Sequence, residues 1–155
     1  MGKLVSQEEI INIVKNGQKA GKTFVVTNGC FDILHVGHIR YLQKTKSLGD
    51  YSIVMLNSDK SVKMIKGDSR PINNEQDRAE ILNALSCVDY VVLFDESSPA
   101  ELLEKIKPDI YTKGADYTIE TLPERDIVKR NNIKVEFIEF VQGKSTTNII
   151  NKINK

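Results

Sequence analysis

The feature that most restricts the fold is an alternation of two hydrophobic periods along the chain. Segments with apolar residues at helical spacing take turns with short β-branched or aromatic runs, from one end to the other. The spacing predicts helices over Glu8–Ala20, Ile39–Leu48, Glu75–Leu85, Glu124–Asn131 and Ser145–Asn154, with a further helix opened by Ser98-Pro99. It predicts strands over Thr23–Thr27, Tyr51–Leu56, Asp89–Phe94, Pro108–Thr112 and Ile133–Phe140. Strand–helix–strand order of this kind builds right-handed βαβ units. The expected fold is therefore α/β: a single-domain, Rossmann-like open parallel sheet with helices on both faces. At 155 residues, with no linker, repeat or low-complexity tract, one domain spanning residues 1–155 is expected. Ligands of such sheets sit beyond the carboxyl ends of the strands, at the point where strand order reverses. Functional residues are expected just after strands.

Both histidines of the chain fall there. His35-Val36-Gly37-His38 follows the first predicted strand and leads into a helix starting near Val36 or Gly37. A helix start offers unpaired backbone N–H groups and a positive dipole end, and Gly37 lets a ligand approach the backbone. His35 and His38 lie one turn apart and can face the same spot, which makes an anion site with two added donors. The spacing is i, i+3 with no third histidine, whereas zinc on a helix usually takes i, i+4 and a third ligand. The two cysteines, Cys30 and Cys87, are too few and too far apart for a disulfide framework or zinc knuckle.

Charge excludes other classes. With 22 basic and 21 acidic residues the net charge is +1, so the basic excess of a nucleic-acid binder is missing. No apolar run approaches the roughly 20 residues that span a bilayer, and Met1–Lys22 shows no signal-peptide core. A cytoplasmic protein with no nucleic-acid or membrane partner is expected. Met1-Gly2-Lys3-Leu4-Val5-Ser6 fits a myristoylation pattern. But Ser6 and Glu9 form a capping box before an apolar run, and that explains the serine without a lipid.

The stretch Asn57–Asn74 is polar and carries Lys60, Lys63, Lys66 and Arg70 with Gly67 and Pro71. It reads as a long loop with one helical turn over Ser61–Ile65, of a length often functional, and it predicts a lid.

Asn28-Gly29-Cys30-Phe31-Asp32-Ile33-Leu34-His35-Val36-Gly37-His38 resembles the signature of the cytidylyltransferase-like nucleotidyltransferases, His-x-Gly-His after the first strand. Ser145-Thr146-Thr147-Asn148-Ile149-Ile150 resembles their second hallmark. Lys66-Gly67-Asp68-Ser69-Arg70-Pro71 and Lys113-Gly114-Ala115-Asp116-Tyr117 are similar to the heptose 1-phosphate adenylyltransferase branch. The likeness runs from about Phe24 to Ile153. Glycerol-phosphate cytidylyltransferases carry an arginine shortly before the Ser-Thr-Thr segment, and Glu139–Lys144 has none, which weighs against the cytidylyl branch.

The resemblance implies transfer of AMP from ATP to a sugar 1-phosphate with loss of pyrophosphate. Its rivals are a cytidylyltransferase acting on a polyol phosphate and a nucleotide-binding sensor without turnover. It implies small-molecule partners only, a homodimer or larger homo-oligomer, and ATP as substrate with Mg²⁺ accompanying the triphosphate at an unassigned site. It casts His35, His38 and Lys66 as catalytic. Gly29, Cys30, Phe31, Gly37, Lys113, Gly114, Asp116, Ser145, Thr146 and Thr147 would join the histidines in binding nucleotide. Asp32, Lys66 and Arg78 would meet the acceptor, with Asp32 and Asp116 also candidates to orient hydroxyls or help hold Mg²⁺, and Arg78 to brace the site.

Overall fold

The structure, a computed structural model, describes residues 1–139 and 146–154. Strands β1 (Lys3–Val5), β2 (Phe24–Gly29), β3 (Tyr51–Asn57), β4 (Tyr90–Phe94), β5 (Ile110–Gly114) and β6 (Lys134–Ile138) alternate with helices α1 (Gln7–Lys19), α2 (Val36–Ser47), α3 (Asp59–Lys66), α4 (Glu75–Asn83), α5 (Ala100–Ile106), α6 (Arg125–Arg130) and α7 (Thr146–Ile153). All six strands are parallel in the order β1-β4-β3-β2-β5-β6. The expected α/β Rossmann-like sheet is the fold observed.

Each central strand feeds two cores because its side chains alternate across the sheet. On β3, Ile53 and Met55 point to one face, packed with Ile10, Val14, Leu102, Leu103 and Ile106 of α1 and α5. Val54 and Leu56 point to the other, packed with Leu42 of α2 and Ala79 and Leu82 of α4. A strand buried on both sides must be apolar throughout, which is why β2 and β3 read as continuous hydrophobic runs. Helix α1 begins at the expected capping box: Ser6 Oγ accepts from Glu9 N–H at 3.1 Å, and Ser6 N–H donates to Glu9 Oε1 at 3.0 Å.

Two expectations are corrected. β1 was not anticipated; it is three residues long and lies at the sheet edge, where it pairs with β4. The segment Asn57–Asn74 is not one long loop. Ser58 caps a full helix, α3, accepting from Ser61 N–H at 3.2 Å, and the helix buries its own Ser61 and Val62. The helix stops at Gly67, whose φ of 95° is open to glycine and strained for other residues. Only residues 67–74 lack regular structure, and they are tied down, as described below. The expected strand Ile133–Phe140 ends at Ile138, and Phe140 and Ser145 lie outside the described residues.

Candidate active site

Successive strands leave β2 in opposite directions: β3 and β4 to one side, β5 and β6 to the other. The switch point therefore lies between β2 and β5, and a cleft of about 510 Å³ opens there. Gly29, Cys30, Phe31, Asp32, His35, Gly37, His38, Lys66, Lys113, Gly114, Asp116 and Thr147 all line it. Residues as far apart in sequence as Gly29 and Thr147 are thus brought to one place. Ser145 and the side chain of Thr146 lie outside the described residues.

The centre of the cleft is the turn from β2 into α2. Phe31 takes a left-handed backbone with φ of 45°, a costly conformation for a bulky residue. Its ring packs over Gly29, where an added Cβ would meet the Phe31 ring at 2.7 Å. The ring also lies 5.1 Å from that of His38. His35 is the N-cap of α2, its Nδ1 accepting from Gly37 N–H at 3.1 Å. Accepting at Nδ1 places the proton of a neutral ring on Nε2. The two imidazoles stack with centroids 3.8 Å apart. Burial, with the neighbouring His35 adding to it, lowers the His38 pKa from 6.5 to about 4, so at neutral pH His38 is an uncharged ring. Its Nδ1 is buried with no hydrogen-bond partner among the described residues. The Tyr41 hydroxyl, between Thr27 Oγ1 at 2.9 Å and Thr112 Oγ1 at 3.3 Å, fixes α2 against β2 and β5.

On the β5 side Lys113 Nζ lies 4.9 Å from the Tyr117 ring centroid and reaches Asn28 Oδ1 at 3.4 Å. Burial lowers its pKa, while Glu124 and Asp116 pull it back up. On the β3 side stand Lys66, the last residue of α3, and Arg70, which the sequence reading left unassigned. Asn28, Tyr41, Asn57, Ile65 and Tyr117 also line the cleft without having been anticipated; all but Tyr41, which lies inside α2, flank an anticipated residue or end a strand, which was the signal available.

Two expected ligands are otherwise employed. Asp32 accepts from Ile72 N–H and Asn73 N–H at 2.9 Å and from Arg70 Nε at 2.8 Å, so both oxygens are committed to protein donors. Arg78 is 1% exposed and absent from the cleft wall. It donates to the carbonyls of Asn73, Cys30 and Asn57 and to Asp59 Oδ1, which uses four of its five N–H groups. It braces the turn from behind, the second of the roles foreseen for it. Among the described residues no cluster of three or more metal-ligating groups occurs. With Asp32 committed, Asp116 is the carboxylate facing the cleft without a protein hydrogen bond among the described residues. This donor set fits a magnesium ion carried on triphosphate oxygens and does not fit a protein-built metal cage.

The cleft combines a helix N-terminus, two stacked imidazoles and cationic side chains on both flanks, the equipment of a protein that handles polyphosphates. The comparisons agree. The Cytidylyltransferase-like family model matches residues 26–152. The bifunctional protein HldE of Syntrophotalea carbinolica is 52% identical over 97% of this chain, and that of Campylobacter fetus is 53% identical over 97%. The chain spans 31% of the length of each. The crystal structure of the lipopolysaccharide core biosynthesis protein from Thermoplasma volcanium superposes with a TM-score of 0.63 at 32% identity, covering 80% of this chain and all of that one. The chain belongs to the cytidylyltransferase-like family of nucleotidyltransferases.

Proposed function

We propose that this chain transfers AMP from ATP to a heptose 1-phosphate, releasing pyrophosphate and giving an ADP-sugar for cell-surface polysaccharide synthesis. The observation that carries the reading is the single cleft at the switch point, which collects the histidine turn, Lys66 and the Lys113–Asp116 turn. The roughly 50% identity to HldE proteins and the likeness to a lipopolysaccharide core biosynthesis protein support the sugar branch.

An oxygen of the acceptor's phosphate attacks the α-phosphorus of ATP. A new P–O bond forms as the bond from the α-phosphorus to the oxygen bridging the β-phosphate breaks, and pyrophosphate leaves with the electron pair. The attacking phosphate is ionised at neutral pH, so no general base is required. Catalysis then rests on alignment and on stabilising charge. Uncharged His38 and, beside it, His35 donate hydrogen bonds as charge builds on the triphosphate. The backbone N–H groups of Gly29, Cys30 and Phe31 and the start of α7 serve the same anion. Lys66 approaches the transferred phosphoryl group. Lys113, Gly114 and Asp116 hold the nucleotide on the β5 side. Magnesium bound to the triphosphate supplies further charge neutralisation.

Pyrophosphate release measured with ATP or CTP against heptose 1-phosphate, mannose 1-phosphate and glycerol 3-phosphate tests this. Turnover only with ATP and a sugar 1-phosphate is expected. Turnover with CTP and glycerol 3-phosphate would transfer the chain to the cytidylyl branch. ATP binding with no pyrophosphate from any acceptor would make it a sensor.

A further inference from the structure

The reaction proposed above brings together two anions, and each needs its own cationic contacts. Lys113 and the α7 start flank the β5 side of the cleft, whereas Lys66 and Arg70 flank the β3 side. Arg70 is held in an unusual way for a loop residue. Its side chain is only 11% exposed, and its Nε donates to Asp32, whose side chain is wholly buried. Asp32 also takes the Ile72 and Asn73 N–H groups, and Asn73 Nδ2 donates to the Asp32 carbonyl at 2.8 Å. The 70–73 segment is thereby clasped to the turn that carries the histidines. Burial opposes ionisation of Asp32, but the Asn73 and Ile72 N–H groups and Arg70 outweigh it and hold its carboxyl below the usual range. The clasp is therefore anionic at neutral pH. Arg70's terminal nitrogens, in contrast, donate to no acceptor among the described residues, although the side chain lines the cleft. A guanidinium fixed through Nε leaves a planar fork of N–H donors, the geometry that grips phosphate oxygens two at a time.

We propose that Arg70 binds the phosphate of the acceptor, and that Asp32 is a positioning residue that aims it. The proposal rests on the functional reading above for which side of the cleft takes the nucleotide. It assigns Asp32 a task other than touching substrate, and it gives the chain a reason to clasp a loop that would otherwise wave in solvent. A lysine at position 70 keeps charge but cannot share itself between Asp32 and a phosphate in one plane.

The test uses the full chain with α,β-methylene-ATP, which cannot react, so that binding is separated from turnover. Heptose 1-phosphate and inorganic phosphate are titrated calorimetrically against wild type, Arg70→Gln, Arg70→Lys and Asp32→Asn. Arg70→Gln should weaken both phosphates about 10- to 100-fold, the loss of a charge-assisted pair of bonds, with the nucleotide analogue within about threefold of wild type. Arg70→Lys should recover only part of the loss. Asp32→Asn should raise the acceptor KM in the same direction with nucleotide affinity kept, a split that general loosening of the fold would not produce. Unchanged phosphate affinity in Arg70→Gln, a loss confined to the nucleotide analogue, or no binding of either phosphate to wild type would each overturn the proposal. Arg70-dependent binding of sugar phosphate without pyrophosphate release would instead sink the functional reading and leave this one standing.

Discussion

At the scale of single residues the histidine pair is the densest piece of chemistry in the chain. Its rings differ in situation: His35 caps the helix with Nδ1, while His38 is half-buried and uncharged, its Nδ1 buried and without a partner among the described residues. A donor that stabilises charge as it develops should show itself in kcat. His38→Ala should lower kcat about 10²-fold or more while the protein stays folded by circular dichroism. Stoichiometric zinc in active protein, lost together with activity in that variant, would instead mark the pair as a metal site. The same histidine gives a pH prediction. Its pKa is 6.5 unfolded and about 4 folded, so between those values the unfolded chain binds more protons. Stability should rise with pH across that window and level off above it. His38→Gln should remove this part of the slope, read from urea midpoints at about pH 5 and about pH 7.5. Equal slopes in the two proteins would mean that His38 is solvated or charged in the fold.

At the scale of elements, what the sequence made legible followed from burial. β2 and β3 were plain because strands covered on both faces must be apolar. The helix at His35 was plain because a glycine turn after such a strand has few other continuations. Of α3, Asp59–Lys66, only the turn Ser61–Ile65 was legible, because the helix buries only Ser61 and Val62 and exposes Met64 and Ile65, so its apolar pattern is too short to announce two turns. The cue available was Ser58, an N-cap. β1 was hidden by its length. The hydrogen-bond partners of Asp32 were not legible, and for Arg78 bracing was only one of two roles foreseen, since a residue's partners from distant segments do not show in local pattern. The helical α3 changes what Lys66 can be. It is the end of a capped, half-buried helix, not the tip of a swinging loop, and it faces the cleft. Lys66→Ala should keep the ATP dissociation constant within about tenfold yet cut turnover about 10²-fold or more, because a contact made mainly in the transition state is lost from kcat. Lys60, exposed on the same helix and away from the cleft, should be nearly silent as Lys60→Ala. Equal losses from the two would reduce α3 to a diffuse patch of charge.

At the scale of the whole molecule, the cleft divides a sheet whose two halves meet only along β2 and β5, so something must fix that seam. The register Val26↔Tyr111 provides backbone bonds. The Thr27–Tyr41–Thr112 hydroxyls add to it, and so does a second buried polar chain. The Tyr111 hydroxyl stands 2.9 Å from Asn28 Oδ1 and 3.1 Å from Glu124 Oε1, and Glu124, at the start of α6, is 3% exposed with no partner for Oε2 among the described residues. Asn28 in turn meets Lys113, so the chain runs from the core beneath α6 to the cleft. A phenol has one proton, and two acceptors compete for it. Burial, reinforced by Glu124, raises the Tyr111 pKa well above its ordinary value and keeps that proton in place. Removing the hydroxyl strands a buried carboxyl and weakens the seam. Tyr111→Phe should therefore destabilise the protein by about 1–3 kcal/mol, more than the loss of one well-solvated hydrogen bond. At this chain length that is a fall in Tm of roughly 2–4 °C per kcal/mol. Combining it with Glu124→Gln should be non-additive by about 0.5 kcal/mol or more, since both changes act on one contact. The ATP affinity of Tyr111→Phe should also fall, because Asn28 and Lys113 lose their shared anchor at the cleft wall. A double variant whose losses simply add, with nucleotide binding untouched, would show the buried chain to be independent contacts and leave the seam to the backbone and the Thr27–Tyr41–Thr112 hydroxyls.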